Sequence, residues 1–364
     1  MKTILVTGGP VHAYLDAVKI ITNRFKGGLM SDLAEDLLEF DTRIVYLCAP
    51  GGMSKTPRKH ERIEVVYHDG FGDYRQKVAE LAPKMDAVIL GAAVANLIPA
   101  AKIDGKFPSH NYKPGDVIPI NFTIAPRVID EVKRVAPLTH LFGFKLLSGV
   151  TNEELIRAAY GVVIDSRATA VFANDALDLQ QKYAVTKERG VHPLTQEELA
   201  SWIWTMINDV YYSTVVDSGP PPSNEAVRRF HELVQNYSCF FKPNEVGLIF
   251  GTVAVRHESG FVTGGRGKNE LASLSNVTWV DHQGRKVHVT GSVKASLNAP
   301  LLSRMFDNPL VEYVVHYHCQ YPGIPTVDYA PPGTVRDSER RNGTSFNIKD
   351  HGCILLFDKE GRRL

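Results

Sequence analysis

Several features that would narrow the class of protein are missing from this chain of 364 residues. Its four cysteines form no CxxC pair and are too sparse for a secreted disulfide scaffold, which indicates a reducing compartment. There is no charged leader with an apolar stretch, and no window approaches the roughly eighteen apolar residues of a membrane span. A formal net charge of +1 gives no general reason to expect nucleic acid or an anionic membrane as partner. We therefore expect a cytoplasmic protein that acts on small molecules, with no nucleic-acid and no membrane partner.

The length and composition predict two globular domains. A chain of 364 residues exceeds one typical domain, and hydrophobic residues at 44% allow ample core. Residues 217–224, with the sequence DSGPPPSN, are typical of a semi-rigid spacer because prolines cannot continue a helix. We predict one domain over residues 1–216 and another over residues 225–364, joined by this linker.

The first domain alternates predicted strands and helices. Apolar runs predict buried strands, and three- and four-residue spacing predicts helices at residues 29–38 and 74–81. The predicted strands cover residues 2–6, 43–48, 63–68 and 86–90. This alternation predicts an α/β fold with a doubly wound, Rossmann-like parallel sheet and helices on both faces. Ligands of such sheets bind beyond the carboxyl ends of the strands.

Two glycine turns lie near those strand ends. Gly8-Gly9 follows the first strand, and Gly27-Gly28 leads into the first helix. A turn without bulky side chains at a helix start presents free N–H groups and the positive end of the helix dipole, which favours phosphate binding. The dinucleotide spacing GxGxxG is absent. The alternative is a plain α/β domain whose glycines only make turns.

The segment VTGGPVHAYLDAVKIITNRFKGGLMSDLAEDL resembles the opening of phosphopantothenate–cysteine ligases, a coenzyme A pathway family with the pattern TxGGTxEPIDxVRxIxNxSSGxMGxxLAE. The segment DAVILGAAVANLIPAAKIDGK is similar to the family's AAAVAD block and its later Lys-Ile pair. Further along, residues 123–129, 142–144 and 173–175 are similar to the family's TPDIL, VGFAAET and LIxAND segments. The positions that match, or that replace the family residue, are Gly8, Gly9, Asp16, Lys19 (for Arg), Asn23, Gly27, Gly28, Ala92, Ala93, Asn96 (for Asp), Lys102, Phe144 and Asn174.

This resemblance covers roughly residues 1–215 and implies an amide-forming ligase. In that family CTP, or ATP in some branches, activates a carboxylate as an acyl-nucleotidylate with Mg²⁺, and an amine such as cysteine attacks it. The resemblance implies that Asn23 and Lys102 are catalytic and that the other matched positions bind the nucleotide or its phosphates. Without the resemblance, Lys102 is most simply a surface lysine. At residues 145–147 the sequence KLL replaces the family's AxET ending.

The second domain contains a histidine pair at two-residue spacing. His316 and His318 lie in a predicted strand, residues 311–318, and the strand period of two places both imidazoles on one face. His351 precedes another predicted strand, residues 353–357. Three neutral imidazoles with one open position are typical of catalytic zinc. Solvated or core histidines are the commoner explanation of such spacing.

Residues 225–364 resemble class II aldolases and their adducin-like relatives through GTVAVRHESGFVTGGRGK, VEYVVHYHCQYP and KDHGCILLFDKEG. This resemblance implies an α/β domain with a largely antiparallel sheet and the three histidines as Zn²⁺ ligands. Asn298 stands where that family has its catalytic glutamate, Thr252 replaces an asparagine, and Gly265-Arg266 alters its phosphate-binding Ser-Gly. A metal-dependent lyase, epimerase or dehydratase and a non-catalytic binding or assembly protein therefore remain alternatives. Both resembled families imply a homo-oligomer.

Overall fold

A computed structural model describes residues 1–101, 103–187, 190–243, 249–340 and 343–364. The chain divides into two compact units, Met1–Ile207 and Asn208–Leu364. None of the helices within these described ranges is both long and apolar enough to cross a lipid bilayer.

The first unit alternates strands and helices along most of its length. Its helices are α1 (Gly28–Asp36), α2 (Gly70–Leu81), α3 (Ile129–Val135), α4 (Asn152–Ser166) and α5 (Leu199–Asn208). Its strands are β1 (Lys2–Thr7), β2 (Pro10–Val11), β3 (Ala13–Tyr14), β4 (Ile20–Ile21), β5 (Thr42–Cys48), β6 (Ile63–Tyr67), β7 (Ala87–Leu90), β8 (Ala93–Val94), β9 (Leu97–Pro99), β10 (Phe122–Ile124), β11 (His140–Leu147), β12 (Ala170–Asp175), β13 (Asp178–Thr186) and β14 (Val191–Leu194).

The main sheet of this unit is mostly parallel. Within the described residues its strands lie in the order β14-β13-β12-β11-β7-β1-β5-β6. The six strands from β12 to β6 are parallel, and β13 and β14 continue the sheet antiparallel at one edge. The predicted α/β class and parallel sheet are confirmed. The antiparallel edge was not predicted.

The sheet core follows from the strand period of two. Ile4 and Val6 of β1 are fully buried in one cluster with Met30 and Leu33 of α1 and with residues of α5. Leu5, between them, is equally buried and faces the opposite side. Both faces of the central strand are therefore covered, which is why its sequence is a continuous apolar run.

The second unit has its own sheet and helices. Its helices are α6 (Asn224–Asn236), α7 (Ala299–Met305) and α8 (Val335–Ser338). Its strands are β15 (Ser213–Asp217), β16 (Thr252–His257), β17 (Gly260–Gly264), β18 (Leu274–Asp281), β19 (Lys286–Thr290), β20 (Tyr313–Tyr317), β21 (Thr326–Val327), β22 (Phe346–Ile348) and β23 (Gly352–Phe357). Within the described residues they lie in the order β15-β19-β18-β17-β16-β20-β23-β22-β21, and most neighbours are antiparallel.

The division between the units differs from the sequence-based boundary. Ser213–Asp217 pairs in parallel with β19 and so forms an edge strand of the second sheet. The hydroxyl of Ser223 then accepts a hydrogen bond from the N–H of Ala226 and caps α6. The predicted linker, residues 217–224, therefore lies inside the second unit, where it runs from the last residue of β15 to the first residue of α6. The chain has already joined the second sheet before the prolines begin.

Candidate functional site

The two predicted glycine turns touch each other. Gly9 and Gly27 both have positive φ, 75° and 80°. A Cβ on Gly27 would lie 2.1 Å from the backbone nitrogen of Gly9, and a Cβ on Gly8 would lie 2.1 Å from the hydroxyl oxygen of Tyr46. Because real Cβ atoms do not approach so closely, these positions require glycine. The close contact fixes the end of β1 against the start of α1.

Helix α1 begins at this contact without a side-chain cap. Its N-cap residue is Gly27, whose left-handed backbone carries no side chain to accept a hydrogen bond from the first turn. The N–H groups of a helix start and the helix dipole together attract anions. The structure therefore places a potential anion site at Gly28, beside Gly8 and Gly9.

The ends of β1 and β7 continue together beyond the main sheet. Ala92 donates its N–H to the Thr7 hydroxyl at 3.3 Å, and Ala93 donates its N–H to the Gly9 carbonyl at 2.9 Å. The Asn23 side-chain amide donates to the Ala93 carbonyl at 3.0 Å. Asn23, the glycine turn and the Ala92-Ala93 segment are thus brought to one edge of the sheet.

Asp16, which the resemblance assigns to nucleotide or phosphate binding, is tied into its own loop by hydrogen bonds. Its side chain is fully buried and accepts hydrogen bonds from the N–H groups of Phe107, Lys19 and Val18, at 2.9, 2.5 and 2.7 Å. The Lys19 ammonium also lies 3.0 Å from it. The Phe107 N–H, followed by the Lys19 and Val18 donors, holds the pKa of this carboxyl well below its usual range. Asp16 orders its own loop, and Lys19 is its partner.

A cavity of about 250 Å³ lies at the carboxyl ends of β7 and β11. Ala92, Asn96 and Phe144 line it, as predicted site residues, together with Arg127 and Lys145, which the sequence analysis did not assign to the site. Both lie in segments that were aligned with the ligase pattern, but nothing in their spacing marks them as lining a cavity.

Of the remaining predicted site residues of this unit, none in the described part of the chain is among those that line the cavity. Asn174 is buried at the end of β12, opposite Leu146 of β11 in the strand register. Lys102 lies outside the described residues.

In the second unit, the three predicted metal ligands form a cluster. His316 lies on β20, His318 directly follows that strand, and His351 directly precedes β23, the antiparallel neighbour of β20. One ligand atom of each histidine lies within 4.8 Å of the other two. The antiparallel pairing explains the cluster, because the end of β20 meets the start of β23 at the same edge of the sheet.

The environment of His316 suits a metal ligand. Its Nδ1 donates to the Cys353 carbonyl at 2.9 Å, which leaves the lone pair on Nε2. Nε2 is buried and has no hydrogen-bond partner among the described residues. Burial lowers the pKa of this imidazole to about 4, so the ring is neutral at pH 7, the state that binds metal. A metal ion would satisfy this buried nitrogen.

The residues that depart from the aldolase pattern lie at the same end of the sheet. Thr252 is opposite His316 in the register, and its hydroxyl accepts a hydrogen bond from the Gly264 N–H at 2.9 Å. The Gly264 carbonyl in turn accepts from Ser296 at 2.9 Å. Asn298 lies two residues after Ser296 and donates its N–H to the Ser296 hydroxyl. The buried Oδ1 of Asn298 lacks a hydrogen-bond partner within the described ranges. An amide there replaces the expected carboxylate.

The family model for the DNA/pantothenate metabolism flavoprotein C-terminal domain matches residues 1–204. The chain belongs to this family. The match covers nearly all of the first unit and ends before the second. The class II aldolase resemblance of residues 225–364 therefore stays a prediction.

Curated relatives of this pantothenate metabolism domain include two bifunctional proteins of coenzyme A biosynthesis named CoaBC. The protein from Thermococcus kodakarensis is 27% identical over 214 residues, which are 57% of this chain and 51% of the relative. The protein from Bacillus subtilis is 29% identical over 105 residues, which are 29% of this chain and 25% of that relative. The chain spans about half or less of the length of these relatives.

A solved structure shows the fold of the same domain. The DNA/pantothenate metabolism flavoprotein from Streptococcus pneumoniae is 23% identical, with a TM-score of 0.50. The similarity covers 56% of this chain and 97% of that protein. At this identity the likeness shows the fold alone.

The glycine contact of this domain predicts a sharp difference between two neighbouring substitutions. Gly27→Ala forces a left-handed alanine against the Gly9 backbone and should lower the free energy of unfolding by about 1–3 kcal/mol. Gly28→Ala is the matched control. Its Cβ would meet only the Lys55 Cδ, at 3.9 Å, so stability should change by less than about 1 kcal/mol. Urea denaturation measures both, and equal losses would contradict this account.

Asp16 predicts a pH-dependent contribution to stability. A carboxyl whose pKa is lowered on folding stabilises the protein above its unfolded-state pKa of about 3.9, and this contribution is lost as the pH falls towards the folded-state value. Asp16→Asn should therefore be less stable than the parent at pH 7, and the gap should narrow from about pH 4 downwards. Thermal denaturation between pH 7 and pH 3 checks this, with exposed Asp104→Asn as a control. A gap independent of pH would refute the assignment.

Proposed function

We propose that this protein is a nucleotide-dependent ligase that joins a carboxylate to an amine, of the phosphopantothenate–cysteine ligase type. The observation that carries the proposal is the meeting of Asn23 with Ala93 beside the touching glycine turns. Family membership supports it, and so does the biosynthetic role in the names of the curated relatives. The identity of the acid and of the amine is part of the proposal, and so is the choice between CTP and ATP as the nucleotide.

The first step needs phosphate binding and placement of two reactants. The start of α1 and the backbone of the Gly8-Gly9 turn offer N–H groups to the nucleotide phosphates. A carboxylate oxygen of the acid attacks the α-phosphorus, and pyrophosphate leaves. Mg²⁺ bound with the triphosphate would neutralise part of its charge. No side-chain nucleophile is needed, because the nucleotide provides the leaving group.

In the second step the amine attacks the acyl carbon and the nucleoside monophosphate leaves. The proton of the amine goes to solvent or to the departing phosphate. Asn23 lies at the strand edge where the acyl group would sit, and its amide can orient the acyl oxygen while its other hydrogen bond goes to Ala93. Lys102 lies outside the described residues. Only the resemblance suggests its role, which is to stabilise the negative charge that develops at the α-phosphate.

Pyrophosphate release tests the ligase directly. Purified full-length chain with CTP or ATP, 4′-phosphopantothenate and cysteine should release pyrophosphate and a nucleoside monophosphate. Asn23→Ala should lower the rate about 100-fold or more, as loss of a positioned donor does elsewhere. Lys102→Ala should also lose activity. Exposed Asn111→Ala is the control and should retain it.

No release with either nucleotide, from protein shown to be folded, would reject the ligase reaction. Equal rates for Asn23→Ala and Asn111→Ala would reject the role of Asn23.

The histidine cluster supports a second candidate function, a metal-dependent lyase, epimerase or dehydratase in the second unit. The residues fit a metal: three imidazoles converge, and the buried Nε2 of His316 has no partner in the described part of the chain. His316, His318 and His351 would hold Zn²⁺, which could polarise a substrate carbonyl. Asn298 cannot take a proton as a glutamate would, so the proposal does not include aldol cleavage by the aldolase family's route.

Metal analysis tests the cluster without any activity assay. Protein purified from zinc-supplemented cells should contain about one zinc per chain, as expected for a single site of this kind. His316→Ala should lose the metal because it removes one of the three ligands, the fully buried imidazole that Cys353 orients. His231→Ala, in the same unit, is the control and should keep it. Metal-free parent protein, or a His316→Ala variant that still holds zinc, would contradict the assignment.

A further inference from the structure

The cavity in the first unit differs in charge from what the ligase resemblance suggests. Asn96 replaces a carboxylate of the family pattern, and Leu147 stands where that pattern has a glutamate. Among the described residues that line the cavity there is no Asp or Glu. An anionic group entering the cavity would therefore meet no repelling carboxylate from its wall.

Two positively charged residues line the cavity, and they differ in what surrounds them. Arg127 lies 3.1 Å from a carboxylate oxygen of Asp165 on α4 and 3.4 Å from one of Asp130 on α3. Its charge is thus compensated by two acids outside the cavity wall. Arg127 is better described as a link between the two helices than as a free anion ligand.

Lys145 has no such compensation. Its side chain is half-buried at the end of β11, and within the described ranges its ammonium has no hydrogen bond or ion pair. Lys145 follows Phe144, which lies on the same cavity wall. A partly desolvated ammonium that lacks a counter-ion in a cavity without carboxylates favours an anionic ligand. Three donors on a flexible stem suit a phosphate group.

We propose that Lys145 binds a phosphate group of the substrate in this cavity. The inference rests on the proposed ligase function, because two substrates of that reaction carry phosphate: the nucleotide and the phosphorylated acid. The cavity has about 250 Å³, which is enough for a phosphate group with part of the molecule attached.

Isothermal titration calorimetry on the full-length chain tests the proposal. The ligands are CTP with cytidine as its unphosphorylated control, and 4′-phosphopantothenate with pantothenate as its control. Lys145→Met removes the charge and keeps the length of the side chain, and should weaken binding of one phosphorylated ligand about 10- to 100-fold. Binding of the unphosphorylated controls should not change. The ligand that is affected identifies which phosphate occupies the cavity.

Two further variants separate charge from general damage. Lys145→Arg keeps the positive charge and should keep most of the affinity. Exposed Lys84→Met lies just before β7, at the opposite end of that strand from the cavity, and should bind as the parent does. Circular dichroism confirms that each variant is folded.

The outcomes keep this proposal apart from the ligase proposal. If folded Lys145→Met binds both phosphorylated ligands as tightly as the parent, or if the parent binds neither, the assignment of Lys145 is wrong. If phosphate binding depends on Lys145 but no pyrophosphate is ever released, the phosphate site is confirmed and the ligase reaction is rejected.

Discussion

The candidate site of the first unit depends on one close backbone contact. The turn after β1 and the turn before α1 approach so closely that a Cβ on Gly27 would lie 2.1 Å from the Gly9 nitrogen. That approach sets the uncapped start of α1 beside the ends of β1 and β7. The hydrogen bond from Asn23 to Ala93 and the pairing of β2 with β8 complete the same edge. The glycines therefore serve packing as much as turn formation.

Much of the fold could be predicted from hydrophobic pattern, and the exceptions have physical reasons. β1 and β5 are apolar runs because both faces of a parallel sheet are covered. The antiparallel β13 begins with exposed polar residues, so its pairing with β12 leaves little signal in composition. The boundary between units was placed too late because Ser213–Asp217 is short and half-exposed, whereas the prolines after it are conspicuous.

Site residues could be predicted from the sequence only where they are close together in the chain or belong to a long family motif. His316 and His318 follow from strand period, but the proximity of His351 needs the antiparallel pairing of β20 with β23. Asp16 matches the motif, yet its oxygens are engaged by Phe107, Lys19 and Val18, which spacing cannot show. In the sequence, Lys145 is noticeable only because it departs from the ligase family's pattern. Its relevance emerges from the cavity it lines and from the absence of a counter-ion among the described residues.

The central claim, an acyl-nucleotidylate ligase, is tested most directly by oxygen transfer. The acid is labelled with ¹⁸O in its carboxylate and incubated with the full-length chain, CTP or ATP, and the amine. If the carboxylate attacks the α-phosphorus, one labelled oxygen stays with the nucleoside monophosphate when the amine displaces it, and mass spectrometry finds it there. Label in inorganic phosphate would indicate an acyl phosphate instead. Label that remains wholly in the acid would contradict ligation altogether.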